Sequence, residues 1–310
     1  MWLFMMERID YEEDILVLSF ENERPVFGLD VHSTESLLAF GNDNHIIKVF
    51  DYEQNESLQS LFGHSRTIQT VQFHQNTTFP WILSASNDHT VRIWDFNNSG
   101  CILVLSEHTD CVVSALFHPS IDHLLVSASS DKSVRVWDIS KVIKNLSSKQ
   151  TMQASFPLDC CQPDDGDDYD VVIGNVSSRY ILEGHKGEVS WAVFHPTLPF
   201  ILSAGEDQEL MHWTIYESMN VWKVNALRSH GSAVTQCAFD VVNNIAISIG
   251  NESIRLLDLS TRYEIKSFNK EGIMRFTSLT AHPTHSIFAV GHNSGVLVLQ
   301  INTNEESIEG

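Results

Sequence analysis

The stretch Ser86-Asn87-Asp88-His89-Thr90-Val91-Arg92-Ile93-Trp94-Asp95 returns as Ser129-Ser130-Asp131-Lys132-Ser133-Val134-Arg135-Val136-Trp137-Asp138. Looser copies run from Glu206-Asp207 to Trp213 and from Asn251 to Ile254-Arg255-Leu256-Leu257-Asp258. A histidine precedes each copy, in Gly63-His64, Glu107-His108, Gly184-His185 and Ser229-His230, at intervals of 108−64 = 44, 185−108 = 77 and 230−185 = 45. Two of the three intervals match the period of about 40–45 residues of a propeller blade. Within the best copy, Val71-Gln72-Phe73, Trp81-Ile82-Leu83 and Val91-Arg92-Ile93-Trp94 alternate as strands, with Ser86 to His89 as a tight turn. Such a unit cannot bury its apolar faces alone, so neighbours must stack into a ring.

The array resembles a WD repeat, and the resemblance predicts an all-β WD-repeat β-propeller of the seven-bladed type. In such propellers the histidine, a strand serine, the turn aspartate and the tryptophan form a buried hydrogen-bonded chain. That chain satisfies polar groups that would be costly to leave unpaired. The sets here are His64, Asp88, Trp94 with Ser84 or Ser86; His108, Asp131, Trp137 with Ser127 or Ser129; and His185, Asp207, Trp213 with Ser203. From Pro25 to Phe50 a blade is traceable with Asn22, Asn44 and Phe50 at the histidine, aspartate and tryptophan positions. The copy around Asn251 is one residue short and carries Leu257 for tryptophan, and the last copy, Phe276 to Ile301, has no terminal Trp-Asp.

Charge and composition narrow the function. The chain has 310 residues and a formal charge of −21. Phosphates would be repelled, so nucleic acid is not an expected partner and a basic one is. Five cysteines, Cys101, Cys111, Cys160, Cys161 and Cys237, lack paired metal spacing, which suits a reducing cytosol. The apolar start Met1 to Met6 is too short for a membrane span and is expected to be a strand. Of the 15 histidines the repeated ones have structural roles, and no Gly-x-Ser-x-Gly, phosphate loop or His-Glu-x-x-His occurs, so no enzyme, cofactor or metal is expected. The 77-residue interval holds an insertion with the acidic run Asp164-Asp165-Gly166-Asp167-Asp168. Asn175 stands where a calcium loop starting at Asp164 would need its bidentate glutamate. The expected organisation is one propeller over 1–310 with an acidic, mobile loop at 141–179.

Longer runs narrow the resemblance further. Leu182-Glu183-Gly184-His185-Lys186-Gly187-Glu188-Val189-Ser190-Trp191-Ala192-Val193-Phe194-His195-Pro196-Thr197-Leu198-Pro199, Ala281-His282-Pro283, Phe288-Ala289-Val290-Gly291-His292 and Pro80-Trp81-Ile82-Leu83-Ser84-Ala85-Ser86 look like the alpha subunit of coatomer, the COPI vesicle coat. The resemblance implies a non-enzymatic amino-terminal propeller that reads dilysine signals on cytosolic tails of membrane cargo for Golgi-to-ER retrieval. It implies other coatomer subunits as partners, and a cytoplasmic chain peripheral at Golgi and COPI vesicle membranes, meeting them only through the coat. Such a site needs carboxylates for lysine ammoniums and cations for the terminal carboxylate. The residues before each turn aspartate, Asp43, Asn87, Ser130 and Glu206, are placed at the ring mouth, with Asp110 and Cys111 beside them. The family carries aspartate at Asn87, tyrosine at Cys111 and arginine at Phe27, which leaves Arg275 as the candidate cation. Trp2 to Tyr11 aligns with the third strand of the family's first blade, so that blade is expected to be incomplete. The rival expectation is a general WD-repeat interaction scaffold in which dilysine binding has been lost.

Overall fold

The computed structural model describes residues 6–11, 15–20, 25–153, 176–216, 221–227, 230–269, 275–282, 284–293 and 295–301. Antiparallel sheets built from consecutive strands repeat along the chain. Blade 1 comprises Val26–Val31, Leu37–Asn42, Ile47–Asp51 and Glu56–Leu61. Blade 2 is Ile68–Phe73, Trp81–Ser86, Val91–Asp95 and Gly100–Leu105. Blade 3 is Val112–Phe117, Leu124–Ser129, Ser133–Asp138 and Ser178–Glu183. Blade 4 is Val189–Phe194, Phe200–Gly205, Leu210–Tyr216 and Val221–Leu227. Blade 5 is Val234–Asp240, Ile245–Gly250, Ser253–Asp258 and Glu264–Asn269. Blade 6 has three strands, Phe276–Ala281, Ile287–His292 and Gly295–Gln300.

The described residues therefore make six blades rather than seven. Met6–Tyr11 and Ile15–Phe20 add only a two-stranded hairpin. The blade with Phe50 in place of tryptophan is complete: Phe50 and the fully buried Ile47, Val49 and Leu61 fill its core. Asn22 lies outside the described residues.

From blade 2 onward, the first strand of each blade packs on the first two strands of the preceding blade. Side chains on these inner strands also bond across the junctions. Phe73 N–H donates to Asp30 at 2.8 Å, Phe117 N–H to Gln72 at 2.7 Å and Ala115 N–H to Thr70 Oγ1 at 3.1 Å. The inner strands of all six blades surround one channel of about 600 Å³. Between blades the core is apolar, with Trp94, Trp137 and Trp213 at most 1% exposed. At the outer limits of the ring, Phe27, Leu29 and Val31 of blade 1 and Val296 and Val298 of blade 6 are more than half exposed, as expected of sheet faces that lack a neighbour.

The inserted region is not loop throughout. A helix covers Ser140–Gln153, and Ser178 and Arg179 already belong to the last strand of blade 3. Asp138 Oδ1 accepts the Ser140 N–H at 3.0 Å and so caps the helix start. Ile139, Val142, Ile143 and Leu146 then form an i, i+3, i+4, i+7 stripe against the core of blades 2 and 3. The acidic run lies outside the described residues. No helix among the described residues is long and apolar enough to cross a membrane.

Candidate functional site

The mouth of the channel is shaped by the turns between second and third strands, and in blades 2, 3 and 4 a buried polar chain holds the turn. In blade 2 Trp94 Nε1–H donates to Ser84 Oγ at 2.8 Å. Ser84 Oγ lies 2.7 Å from His64 Nε2, and His64 Nδ1 lies 2.7 Å from Asp88 Oδ2. Because the indole can only donate and the carboxylate only accept, the hydroxyl proton must go to Nε2 and the ring proton must sit on Nδ1. One neutral histidine thus satisfies every member. Asp88 Oδ1 takes the N–H and hydroxyl of Thr90, at 3.0 and 2.6 Å, which ties the turn to the strand.

Blade 3 repeats the chain through Trp137, Ser127, His108 and Asp131 at 2.9, 2.7 and 2.7 Å. Blade 4 does so through Trp213, Ser203, His185 and Asp207 at 2.7, 2.7 and 2.9 Å. Ser86 and Ser129 have a different task, donating to the carbonyls of Arg66 and Asp110. Burial pushes His64 and His108 toward the neutral form, against the pull of their carboxylates. For Asp88 and Asp131 burial acts upward, but the histidine bonds and those from Thr90 or Ser133 together hold both well below the usual carboxylate range.

Blade 5 contains a variant not read from the sequence. His230 bonds Ser253 Oγ and Ser248 Oγ, each at 2.7 Å, so a hydroxyl replaces the aspartate and Leu257 fills the tryptophan volume. Burial pushes His230 down to about 4. A second histidine series caps the opposite ends of the blades. His32, His118, His195 and His282 each follow a first strand, and each Nδ1 accepts backbone N–H groups of the next loop. In blade 5 Asp240 takes that place, accepting from Val242 and Asn243. The signal was present as a histidine directly after the last residue of a first strand, at Val31, Phe73, Phe117, Phe194 and Ala281, and His74 accordingly accepts the Asn76 N–H at 3.1 Å.

Around the mouth, a turn residue in blades 2, 3, 4 and 6 bonds the residue leading into its own blade's first strand. Asn87 N–H donates to Thr67 O at 2.9 Å and Ser130 N–H to Cys111 O at 2.9 Å. Glu206 N–H donates to Glu188 O at 2.8 Å and Asn293 N–H to Arg275 O at 3.1 Å. Cys111, Glu188 and Arg275 therefore hold equivalent rim positions on one face. Neighbouring blades touch there: Cys111 Sγ donates to Asn87 O at 3.6 Å, and Ser130 Oγ donates to Glu188 Oε2 at 2.8 Å. Glu188 was missed by sequence reasoning, although its place three residues after His185 matches that of Cys111 after His108.

Asp43 sits in the blade 1 turn and is half-buried, whereas Asp110, Glu206 and Arg275 are exposed. A bulge follows the first residue of every inner strand. It turns Phe27, Gln69, Val113, Ser190, Thr235 and Thr277 toward the channel. This collar carries no charge, so the charged groups lie on the rim above it. Ligand atoms of His89, Asp110 and Cys111 lie within 4.8 Å of one another, the only such metal-competent group among the described residues.

The fold and its three complete histidine-to-tryptophan chains define a WD-repeat β-propeller. The family described as "WD domain, G-beta repeat" matches residues 55–95, 99–138 and 176–214, the chain segments of blades 2, 3 and 4 that hold those chains. The chain is similar to coatomer subunit alpha of Saccharomyces cerevisiae, 37% identical over 131 residues, which are 42% of this chain and 11% of that one. It is similar to coatomer subunit alpha-2 of Oryza sativa, 39% identical over 124 residues, 40% of this chain and 10% of that one. It also matches pre-mRNA-processing factor 19 of Bos taurus, 25% identical over 206 residues, 66% of this chain and 33% of that one. The match to the coatomer subunits spans about a tenth of their length.

Proposed function

We propose that this chain is a coatomer alpha-like propeller that takes part in a COPI-type coat and binds basic cytosolic tails of membrane cargo at the channel mouth. The observation that supports this best is the rim itself. Asp43, Asp110, Glu188 and Glu206 offer carboxylates to lysine ammoniums, and Arg275 offers a cation to a terminal carboxylate on the same face. On the resemblance to coatomer alpha subunits, the tail proposed is a dilysine signal for Golgi-to-ER retrieval. On this reading the chain is a non-enzymatic binding module, cytoplasmic and peripheral at Golgi and vesicle membranes, with other coatomer subunits as partners. The chain acts as one propeller, and the Met6–Phe20 hairpin is the remainder of a seventh blade.

The site differs from the family pocket in ways that set its strength. Asn87 is neutral, Cys111 replaces an aromatic partner, and Phe27 stands where the family has arginine. Removing charge-assisted bonds to a terminal carboxylate costs roughly 1.5–3 kcal/mol each, so binding at least about tenfold weaker than in an intact pocket is expected. Exposed rim charges are screened over about 8–10 Å at physiological ionic strength, so affinity falls as salt rises. Calorimetry with a dilysine-tailed peptide, its dialanine counterpart and its carboxyl-amidated form tests this, alongside Asp43→Ala and Glu188→Ala. Weak, salt-sensitive binding that requires the lysines and fades in both variants supports the reading. Equal heats for dilysine and dialanine peptides overturn it in favour of a general interaction scaffold, a reading that the neutral collar and the match to pre-mRNA-processing factor 19 favour.

A further inference from the structure

At the rim junction of blades 2 and 3 three chemically different ligating groups converge, and the other complete junctions show how unusual this is. His89, the residue after the turn aspartate of blade 2, lies beside Asp110 and Cys111, the second and third residues after the histidine of blade 3. The equivalent sequence positions at the other junctions hold His45 with Arg66 and Thr67, Lys132 with Gly187 and Glu188, and Gln208 with Ser232 and Ala233. Only at the junction of blades 2 and 3 do these positions carry an imidazole, a carboxylate and a thiol.

Each group is presented by a braced backbone. His89 has a left-handed φ of 72°, and its N–H is held by Ser86 O at 3.2 Å. The Asp110 carbonyl is fixed by Ser129 Oγ at 3.1 Å, and its carboxylate accepts the Cys111 N–H at 2.7 Å. The Cys111 carbonyl is held by Ser130 N–H at 2.9 Å. The His89 ring makes no hydrogen bond to another described residue, in contrast to the imidazoles of the buried chains. Turns anchored by Asp88 and Asp131 thus hold the three side chains near one point on an accessible rim.

We propose that His89, Asp110 and Cys111 form a zinc-binding site. Thiolate, imidazole and carboxylate are the donors that zinc favours, and a tetrahedral ion with bonds of about 2.0–2.3 Å sets its ligands roughly 3.4–3.6 Å apart. Side-chain rotation closes the present 4.8 Å envelope to that span. Binding converts the Cys111 thiol to thiolate and releases its proton to buffer, leaving Asp110 and Cys111 to balance the two positive charges of the ion. Three protein donors leave a fourth position for water or an incoming anionic group. Arg66 is the cationic neighbour of the Cys111 thiol that the ion must tolerate.

The test is titration of the Cys160→Ser/Cys161→Ser protein with Co²⁺ as the optical probe and then with Zn²⁺ as competitor, since the adjacent cysteine pair would otherwise compete. One Co²⁺ per chain is expected, with a thiolate-to-cobalt charge-transfer band in the near ultraviolet that Zn²⁺ abolishes. Cys111→Ser should remove the band, and His89→Ala and Asp110→Asn should each weaken Zn²⁺ binding by more than about tenfold, at least the effect of losing a supporting residue around a metal ligand. Calorimetry in buffers of different ionisation enthalpy should show a proton released in the parent and not in Cys111→Ser. Thermal melting verifies that the rim variants remain folded. Absence of the thiolate band, or metal binding that these variants leave unchanged, overturns the proposal and assigns any bound metal to the acidic surface at large.

Discussion

Blades 2 and 5 solve one problem with different chemistry. In blade 2, Ser84 accepts from Trp94 and donates to His64, which ends on the ionised Asp88. In blade 5, His230 lies between two hydroxyls, Ser248 and Ser253, with no carboxylate and no indole. Both arrangements leave the histidine buried and bonded at both nitrogens. The comparison teaches that a blade needs its buried polar groups satisfied and its interior filled, and that no particular residue set is required. What the aspartate adds is a clamp on the turn, because its second oxygen ties down Thr90. In blade 5, without the aspartate, the turn shortens to Asn251 and Glu252 between the strands.

The largest effect expected is from the indole. Trp94→Ala should cost about 3–5 kcal/mol, the range for a large buried aromatic, through a cavity between blades 1 and 2. An unchanged melting temperature would show that the chain's stability does not rest on this packing. Next is pH. The unfolded imidazole of His230 takes up a proton below about 6.5, whereas the folded one stays neutral down to about 4. Between those values the unfolded state binds more protons, so stability rises with pH and is lost as pH falls from about 6.5 to 4. Burial pushes His118 and His212 down to about 4 as well, which adds to the same slope. His230 alone contributes up to about 3 kcal/mol to this loss. Melting temperatures across that window should decline in the parent and decline less steeply in His230→Gln.

A smaller effect sharpens the contrast between the blades. Ser84→Ala strands both the His64 Nε2 and the Trp94 N–H, whereas Ser248→Ala strands only His230 Nε2. Each unsatisfied buried group costs about 1–3 kcal/mol, so chemical denaturation should show Ser84→Ala to be the more damaging of the two. Equal losses would mean that the indole bond contributes nothing. The smallest effect belongs to the insertion. Deletion of Ser155 to Gly174 should leave the melting transition within about 0.5 kcal/mol, as for changes away from core and caps. A collapse to insoluble protein would show that this segment packs on the ring.

Much of this architecture was legible in the chain because it follows from local repetition. The spacing of His64, Asp88 and Trp94, repeated at His108 and His185, named the partners of each buried chain before any distance was known. Alternation in Val91 to Trp94 gave strands, and the shortened turn at Asn251 was visible as a missing residue. The helix at Ser140–Gln153 was also written there, as the stripe Ile139, Val142, Ile143 and Leu146, although the acidic run downstream gives the insertion as a whole the composition of a loop. The choice of Ser84 over Ser86 could not be read, because both are polar strand residues and only the register of Ile82 against Trp94 decides which lies beside the indole.

The site divides along the same line. The sequence by itself determined which residues lie in turns and which in strands, and hence that Asp43, Asn87, Ser130 and Glu206 share one end of the blades, because a fixed repeat puts equivalent residues at equivalent places. Only the tertiary structure decided which residues of different blades meet: Glu188 with Ser130, Cys111 with Asn87, and His89 with Asp110 and Cys111. The physical reason is that the repeat specifies hydrogen bonds within a blade, whereas contacts across a junction depend on how apolar faces pack and turn one blade against the next, an angle that no single repeat encodes.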